Sequence, residues 1–362
     1  MAKDHFIPAA LLGRFSEDES GPLRQRRLHV VSRHTPGRVT TAASIGYKKR
    51  LYDVDQDFFQ TSQGRAIDKL WDAYEPQLPR VLDDLIAGTL SASDWIRILV
   101  PFVAATFARD RSYEARIVAR LKEEGVEDPQ TEAPDLFDKT NLNLNRLVEM
   151  NRFAARAIVC EWYVFELDGD IVIPDLGFGF DLLSDPDEEP ERVGFMLPVG
   201  RRHILELMPV TERVLATRSV DGTWQVPLVH ARSAGSSVDL NRCLCQCAQD
   251  FVAGTEAAIE SISATDLSTF GPSQIEKVLG QWPFNIDTLV LAGLHAPVDK
   301  LLHDEPLDLD EWLLDRFEGV TELDSRIDFR FARTARRLPV SCFLATDGST
   351  IRVRAHSNDQ RR

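Results

Sequence analysis

A chain of 362 residues with 43% hydrophobic residues, 27% charged residues and a net charge of -15 has the composition of a globular protein with a sizeable core. No apolar run reaches the roughly 18 residues that a membrane-spanning helix needs, and the start of the chain lacks a secretion signal. The sequence therefore favours a cytoplasmic protein without a membrane partner. Five cysteines, three of them within residues 243–247, argue against a disulfide framework. The cluster could bind a metal, but the favoured interpretation is that Cys243 and Cys247 lie one turn apart on a helix and behave as small apolar residues.

The charge is unevenly distributed along the chain. Residues 1–50 contain ten Lys or Arg against four Asp or Glu, and residues 326–362 contain nine against three. The acidic middle of the chain would repel the phosphates of a nucleic-acid duplex. The simpler interpretation is that both basic ends pack against this acidic body. Alternatively, they could together bind an anionic ligand or a nucleic acid.

The first fifty residues predict a short helix followed by a hairpin. Pro8 suits the first position of a helix, and the apolar residues that follow it are spaced to form one helical face. Residues 28–31 and 39–45 have the composition of strands, and Thr35-Pro36-Gly37 between them is a turn signal. The two strands should therefore pair.

A helical block is predicted next, beginning near Thr61. Trp71 and Tyr74 belong to its first amphipathic pattern, and Gly125 is well placed to end one of its helices. Residues 126–137 are predicted to be a loop. The clearest helices of the block cover residues 95–107, 112–124 and 142–157.

Strands dominate from residue 159 onward. Residues 159–167 predict a strand, Asp168-Gly169 a two-residue turn, and residues 170–173 the hairpin partner. The other predicted elements are strands over 195–199 and 204–207, a hairpin of 214–217 with 224–229, helices over 240–253, 273–282 and 308–318, and strands over 327–331, 340–344 and 351–354.

This order of elements predicts an α+β fold, with the helical block between an N-terminal hairpin and a mixed, mostly antiparallel β region. The sequence contains no internal repeat and no clear linker, so a single large domain over residues 1–362 is expected. Its sub-regions are an N-terminal anchor and hairpin over 1–60, the helical block over 61–158, a β region with a helix over 159–260, and a C-terminal extension over 261–362.

The opening stretch, residues 5–15, carries a family resemblance. His5-Phe6-Ile7-Pro8, followed by Leu11, Leu12 and Phe15, resembles the opening motif of a bacterial family named domain of unknown function 4238. The order of later parts is also similar, through about residue 255. These parts are an Asp-x-x-Phe element at 55–59, Glu75, an apolar helix ending near Arg109, Trp162, Leu197-Pro198 and Asn241. The resemblance implies a similar architecture and a bacterial source, but no activity.

Four residues are candidates for a functional site. His5 titrates near neutral pH and could be a general base, a nucleophile or a metal ligand, or its ring could bond inside the fold as part of an anchor. Asp175 lies in a turn where the family tends to have Asp-Asn-Pro, and it could be a carboxylate base, a metal ligand or a turn cap. Arg109 and Asn241 could bind substrate, or could make ordinary ion pairs and caps.

Two functional hypotheses follow from these residues. The first is a hydrolase of the metal-assisted phosphodiesterase or nuclease type, with His5 and Asp175 as catalytic residues and Arg109 and Asn241 as substrate-binding residues. The second is a non-catalytic binding or regulatory protein in which the His5 stretch is a structural anchor. The sequence leaves open whether the protein is an enzyme, and it identifies neither a metal nor a cofactor.

Overall fold

The structure is a computed structural model. It describes residues 3–35, 37–53, 71, 74–91, 94–158, 160–181, 193–209, 223–227, 230–260, 262–267, 270–281, 284–286, 322–331, 337–344 and 350–355. Four predicted features fall outside these ranges: the element at 55–59, the beginning of the helical block at Thr61, the strand at 214–217, and the helix over 308–318.

Helices occupy most of the region between the two β-rich parts of the chain. The α-helices are α1 (Ala9–Leu12), α2 (Leu78–Ala87), α3 (Val100–Ala108), α4 (Tyr113–Glu123), α5 (Pro129–Glu132), α6 (Pro134–Phe137), α7 (Lys139–Ile158), α8 (Ser237–Cys247), α9 (Glu256–Glu260) and α10 (Pro272–Gln281). A π-helical turn, Trp95–Leu99, leads into α3. None of the helices in the described ranges is long and apolar enough to cross a membrane.

The strands of the described residues form four sheets. They are β1 (Lys3–His5), β2 (Arg27–Ser32), β3 (Arg38–Thr41), β4 (Tyr47–Lys49), β5 (Glu161–Leu167), β6 (Ile173–Pro174), β7 (Gly179–Phe180), β8 (Phe195–Gly200), β9 (His203–Met208), β10 (Thr223–Pro227), β11 (His230–Gly235), β12 (Phe251–Gly254), β13 (Phe284–Ile286), β14 (Glu322–Phe331), β15 (Arg337–Leu344) and β16 (Thr350–Ala355). The strand orders are β1-β4, β3-β2-β12-β6, β11-β5-β9-β8-β7 and β10-β16-β15-β14-β13.

The predicted α+β class is confirmed. Within the described ranges, every strand pairing is antiparallel except that of β11 with β5, so the β region is mixed and mostly antiparallel, as predicted. The N-terminal hairpin is also confirmed, because β2 pairs with β3. The predicted end of α4 is correct, since Gly125 follows it with a left-handed φ of 94°.

The core is continuous between the helical block and the β region. All nine residues of α3 are buried, because this helix is apolar around its whole circumference. Phe107 of α3 stacks on Phe153 of α7, with ring centroids 4.4 Å apart. Phe153 in turn lies 4.9 Å from Phe195 of β8. These rings connect two helices to a sheet and fix α3 in the interior.

Three predictions of local structure are wrong. The hairpin of residues 159–167 with 170–173 does not form, because β5 pairs with β9 and β11 while β6 crosses to β12 in another sheet. The predicted helix over 240–253 ends at Cys247, since residues 251–254 add to the sheet between β2 and β6. The predicted loop over 126–137 contains α5 and α6, each with a proline at its first position.

Candidate functional site

The opening stretch is docked against the fold by its main chain. β1 pairs with β4, which places His5 opposite Tyr47, and their ring centroids are 5.8 Å apart. The next two backbone N–H groups, of Phe6 and Ile7, both donate to the Gly46 carbonyl, at 2.8 and 3.2 Å. Gly46 has a φ of 67°, a left-handed conformation that suits glycine.

The apolar side chains of this stretch are all interior. Each of them is at most 3% exposed: Phe6, Ile7, Leu11, Leu12 and Phe15. Gly13 is required sterically, because a Cβ at this position would collide with the backbone of Leu23. The residues whose spacing predicted an amphipathic helix therefore form a short helix, α1, and the 3₁₀ turn Gly13–Phe15 that follows it.

Arg109 joins the opening strand to the helical block. Its guanidinium donates to the backbone carbonyl of His5 and to the carboxylate of Glu75, while the arginine side chain is only 3% exposed. The same group lies over the ring of Trp71, 5.2 Å from the ring centroid. Burial is the largest single influence on this charge and lowers the pKa of Arg109, but Glu75, Tyr52 and Tyr74 together outweigh burial and raise it. A buried cation that lost these partners would be strongly unfavourable.

The end of α3 explains why arginines collect here. The last carbonyls of a helix lack intrahelical partners and carry the negative end of the helix dipole. Arg146 of α7 donates to the carbonyls of Ala108 and Asp110, at 2.7 and 2.8 Å. Arg116 of α4 pairs with the Asp110 carboxylate at 3.1 Å. Arg116 and Arg146 therefore stabilise the C-terminal end of a buried helix.

The imidazole of His5 is half-buried, and one of its two nitrogens makes no hydrogen bond within the described ranges. It hydrogen-bonds with the backbone of Ala43, whereas Nε2 has no hydrogen-bond partner within the described ranges. Burial lowers the pKa of His5, and the positive charge of Arg109 lowers it further. A neutral imidazole at pH 7 is able to accept a proton.

Asp175 is fully buried in the turn between β6 and β7. Its Oδ1 accepts a hydrogen bond from the N–H of Gln249 at 2.7 Å. Its Oδ2 lies 3.6 Å from the guanidinium of Arg111 but accepts no hydrogen bond among the residues described. Burial raises the pKa of Asp175 to about 7, although Arg111 and the backbone N–H groups of Gln249 and Asp250 oppose the shift.

The two glycines that follow Asp175, Gly177 and Gly179, pack against other residues of the protein and do not line an open site. Gly177 has a left-handed φ of 77°, and a Cβ there would lie 3.0 Å from Thr106 and 3.6 Å from Ile7. A Cβ at Gly179 would lie 3.0 Å from Leu244. Both close approaches are therefore internal packing contacts of the Asp175 turn with the opening stretch, α3 and α8.

Asn241 of α8 hydrogen-bonds to the backbone of the loop between β5 and β6. Its amide accepts from the N–H of Val172 at 2.9 Å and donates to the carbonyl of Asp170 at 3.1 Å. This clasp links α8 to the segment that crosses between two sheets.

The four predicted site residues are brought together only in part. His5 and Arg109 are in contact through the His5 carbonyl. Asp175 approaches the opening stretch indirectly, since its partner Arg111 lies 5.9 Å from the ring of Phe6. Across the described ranges, no hydrogen bond or ion pair joins His5 to Asp175 or to Asn241. Their catalytic and substrate-binding roles stay predictions.

The described residues contain no metal-binding cluster, and the cysteines of α8 are buried. Among the described residues, no group of three or more His, Cys, Asp or Glu side chains could hold a metal ion. The cysteines of α8 are buried, and burial raises the pKa of Cys245 and Cys247 to about 12. Both thiols are therefore protonated and unreactive at neutral pH.

The pairing of Glu75 with Arg109 was missed by sequence reasoning. The one available signal was an arginine directly after an apolar helix. If that helix is buried, the arginine needs a carboxylate partner. The sequence contains 57 acidic residues and does not indicate which of them pairs with Arg109.

These features define an α+β protein whose N-terminal strand is clamped to a helical block by a buried arginine–glutamate pair. Residues 3–160 match the model of a family described as a protein of unknown function (DUF4238), and the family resemblance is thereby confirmed for this part of the chain. No curated protein and no solved structure matches the chain. The resemblance predicted for residues 161–255 lies beyond the matched segment and stays a prediction.

Proposed function

We propose that the protein is a non-catalytic binding or regulatory protein in which the His5 stretch is a structural anchor. One observation carries this proposal: the stretch is used for internal contacts along its length. Arg109 holds the carbonyl of His5, Gly46 accepts the next two N–H groups, and the apolar side chains are interior. A cytoplasmic location, a bacterial source and a single domain over residues 1–362 are part of the same proposal.

Replacing His5 with alanine is expected to lower the free energy of unfolding by about 1–2 kcal/mol, through the lost bond with Ala43 and the lost packing on Tyr47. His5→Asn keeps a short hydrogen-bonding group and should recover part of that loss. Urea unfolding followed by circular dichroism measures both variants. The matched control is His34→Ala, because His34 is exposed. An unchanged stability for His5→Ala would contradict the anchor.

A hydrolase of the metal-assisted phosphodiesterase or nuclease type is a second candidate. The observation that favours it is that the pKa values of two of its residues are shifted, that of Asp175 upward and that of His5 downward. Burial raises the pKa of Asp175 to about 7, and the lowered pKa of His5 leaves its Nε2 free to accept a proton. A carboxyl with a raised pKa and an imidazole with a lowered pKa suit general acid–base catalysis.

The hydrolase candidate is tested with bis(p-nitrophenyl) phosphate as substrate, in the presence of Mg²⁺, Mn²⁺ or Zn²⁺ in turn. It predicts turnover that falls at least about 100-fold in His5→Asn and in Asp175→Asn, the scale of a lost acid or base. His34→Ala should keep the full rate. Turnover that is absent, or equal in all four proteins, would remove this candidate and leave the anchor proposal standing.

A further inference from the structure

A cavity of about 580 Å³ opens beside the 3₁₀ turn of the opening stretch. Three segments enclose it: residues 14–26, one face of α2, and the turn between β8 and β9. Its charged or titratable lining residues are Arg14, Arg26, Arg201, Arg202, His203, Glu19 and Asp83. In a chain with a net charge of -15, four guanidinium groups around one cavity are a local excess of positive charge.

Arg14 is held rigidly at the cavity wall. Its Nε donates to the carbonyl of Val199 at 2.7 Å, and its Nη1 pairs with Asp83 at 2.8 Å. The side chain is only 12% exposed, and its Nη2 makes no hydrogen bond within the described ranges. The bond from Nε to the Val199 carbonyl fixes the guanidinium whether or not Asp83 is paired, so the remaining donors are presented to a ligand without a further loss of conformational entropy.

The other arginines of the cavity also have donors to spare. Arg26 donates from Nη2 to the carbonyl of Glu19 at 2.6 Å, and its Nη1 makes no hydrogen bond among the residues described. Arg201 and Arg202 occupy the β8–β9 turn, and both pair with the carboxylate of Asp170, at 3.4 and 3.2 Å. Arg201 also lies 3.8 Å from the carboxylate of Glu19. Two carboxylates still leave most N–H donors of the two guanidinium groups unused.

The acidic groups of the lining are weak competitors for these donors. The side chains of Glu19 and Asp83 are 80% and 70% exposed, so they lie at the rim in solvent. Ion pairs of such exposed carboxylates contribute about 0–1 kcal/mol. A phosphate group carries more charge and more acceptor oxygens, and it matches the guanidinium fork in two-point contacts.

We infer that this cavity binds a phosphate-bearing small molecule. The arginines take its phosphate, and the volume exceeds what a lone phosphate ion needs. Leu23, Pro79 and Ile86 supply an apolar wall for the rest of the ligand. Pro79, Asp83 and Ile86 are spaced along one face of α2, so this helix presents both apolar and polar groups to the cavity.

The inference is tested by titrating pyrophosphate into the full-length protein in a calorimeter at low ionic strength. We expect saturable binding that weakens by about tenfold or more in Arg201→Gln/Arg202→Gln, the effect of losing charge-assisted hydrogen bonds. The control, Arg38→Gln/Lys49→Gln, removes two exposed charges elsewhere in the basic N-terminal part. It should change the affinity by less than about twofold. Thermal unfolding without ligand verifies that both variants fold.

A gain-of-affinity variant separates ligand binding from a structural role. Asp83→Asn removes the carboxylate that competes for Arg14, so we expect pyrophosphate to bind about threefold more tightly. Absence of binding at millimolar pyrophosphate would overturn the inference. Equal losses of affinity in the two double variants would overturn it in favour of a diffuse basic surface. So would a single-stranded oligonucleotide that binds more tightly than pyrophosphate and is weakened equally by both double variants.

Discussion

Replacing Arg109 with methionine is expected to lower the free energy of unfolding by about 3–5 kcal/mol, because breaking one side of a buried ion pair leaves the other side uncompensated. The variant leaves the Glu75 carboxylate and the His5 carbonyl without their donor and removes the cation from the ring of Trp71. The side chain of Glu75 is 27% exposed and regains some water, which favours the lower end of this range. Urea unfolding followed by circular dichroism measures the loss.

Two comparison variants make this prediction specific. Arg80→Met removes an arginine that pairs with Asp84 and Asp94, but its side chain is 53% exposed, so we expect a loss of at most about 1 kcal/mol. Arg109→Met/Glu75→Leu removes both charges and should be more stable than Arg109→Met alone. Equal effects of Arg109→Met and Arg80→Met would show that the buried pair is not a clamp.

Replacing Asp175 with asparagine is expected to flatten the dependence of stability on pH. Burial raises the pKa of Asp175 to about 7 in the folded protein, from an ordinary value of 3.8. Between these two values the folded state binds about one proton more than the unfolded state. The contribution of Asp175 is therefore fully present below pH 3.8 and is lost as the pH rises through about 7. The loss amounts to about 1.4 kcal/mol per pH unit within this window.

The measurement is the free energy of unfolding at pH 5, 6 and 7 for the wild type and for Asp175→Asn. From pH 5 to 7 the wild type should lose about 2 kcal/mol more than the variant. The lowered pKa values of His5 and His203 act in the opposite direction, but they are common to both proteins and cancel in the comparison. Asp83→Asn, at an exposed carboxylate, should follow the wild type. Parallel curves for wild type and Asp175→Asn would contradict the shift.

The opening stretch shows how far sequence reasoning reaches. Its apolar spacing predicted a short helix with one apolar face, and the apolar side chains of this face are buried because a short segment of this kind is stable only when that face is packed against the fold. The motif also indicated a resemblance to the family whose model matches residues 3–160. The spacing did not reveal that the main chain of His5 is the group that Arg109 holds, because a backbone carbonyl leaves no mark in the sequence.

The wrong elements have a common physical cause. Asp168-Gly169 is a good turn locally, but Asp168 accepts from the N–H of Ser237 at the beginning of α8, and the chain then crosses to another sheet. Residues 251–254 continue a helical pattern locally, yet β2 and β6 leave a space between them that only a strand fills. In both cases long-range pairing outweighs local preference.

The sequence by itself determined the α+β class, the N-terminal hairpin, the apolar character of α3 and the docking of the opening stretch, because each depends on periodicity or on turn chemistry within a few residues. Only the tertiary structure decided that Glu75 pairs with Arg109, that Asn241 holds a loop, and that Arg14 and Arg26 meet Arg201 and Arg202 around a cavity. Such partners lie far apart along the chain, and charge alone does not specify which of many candidates will meet. Packing selects them, since a buried charge requires a partner at one fixed place.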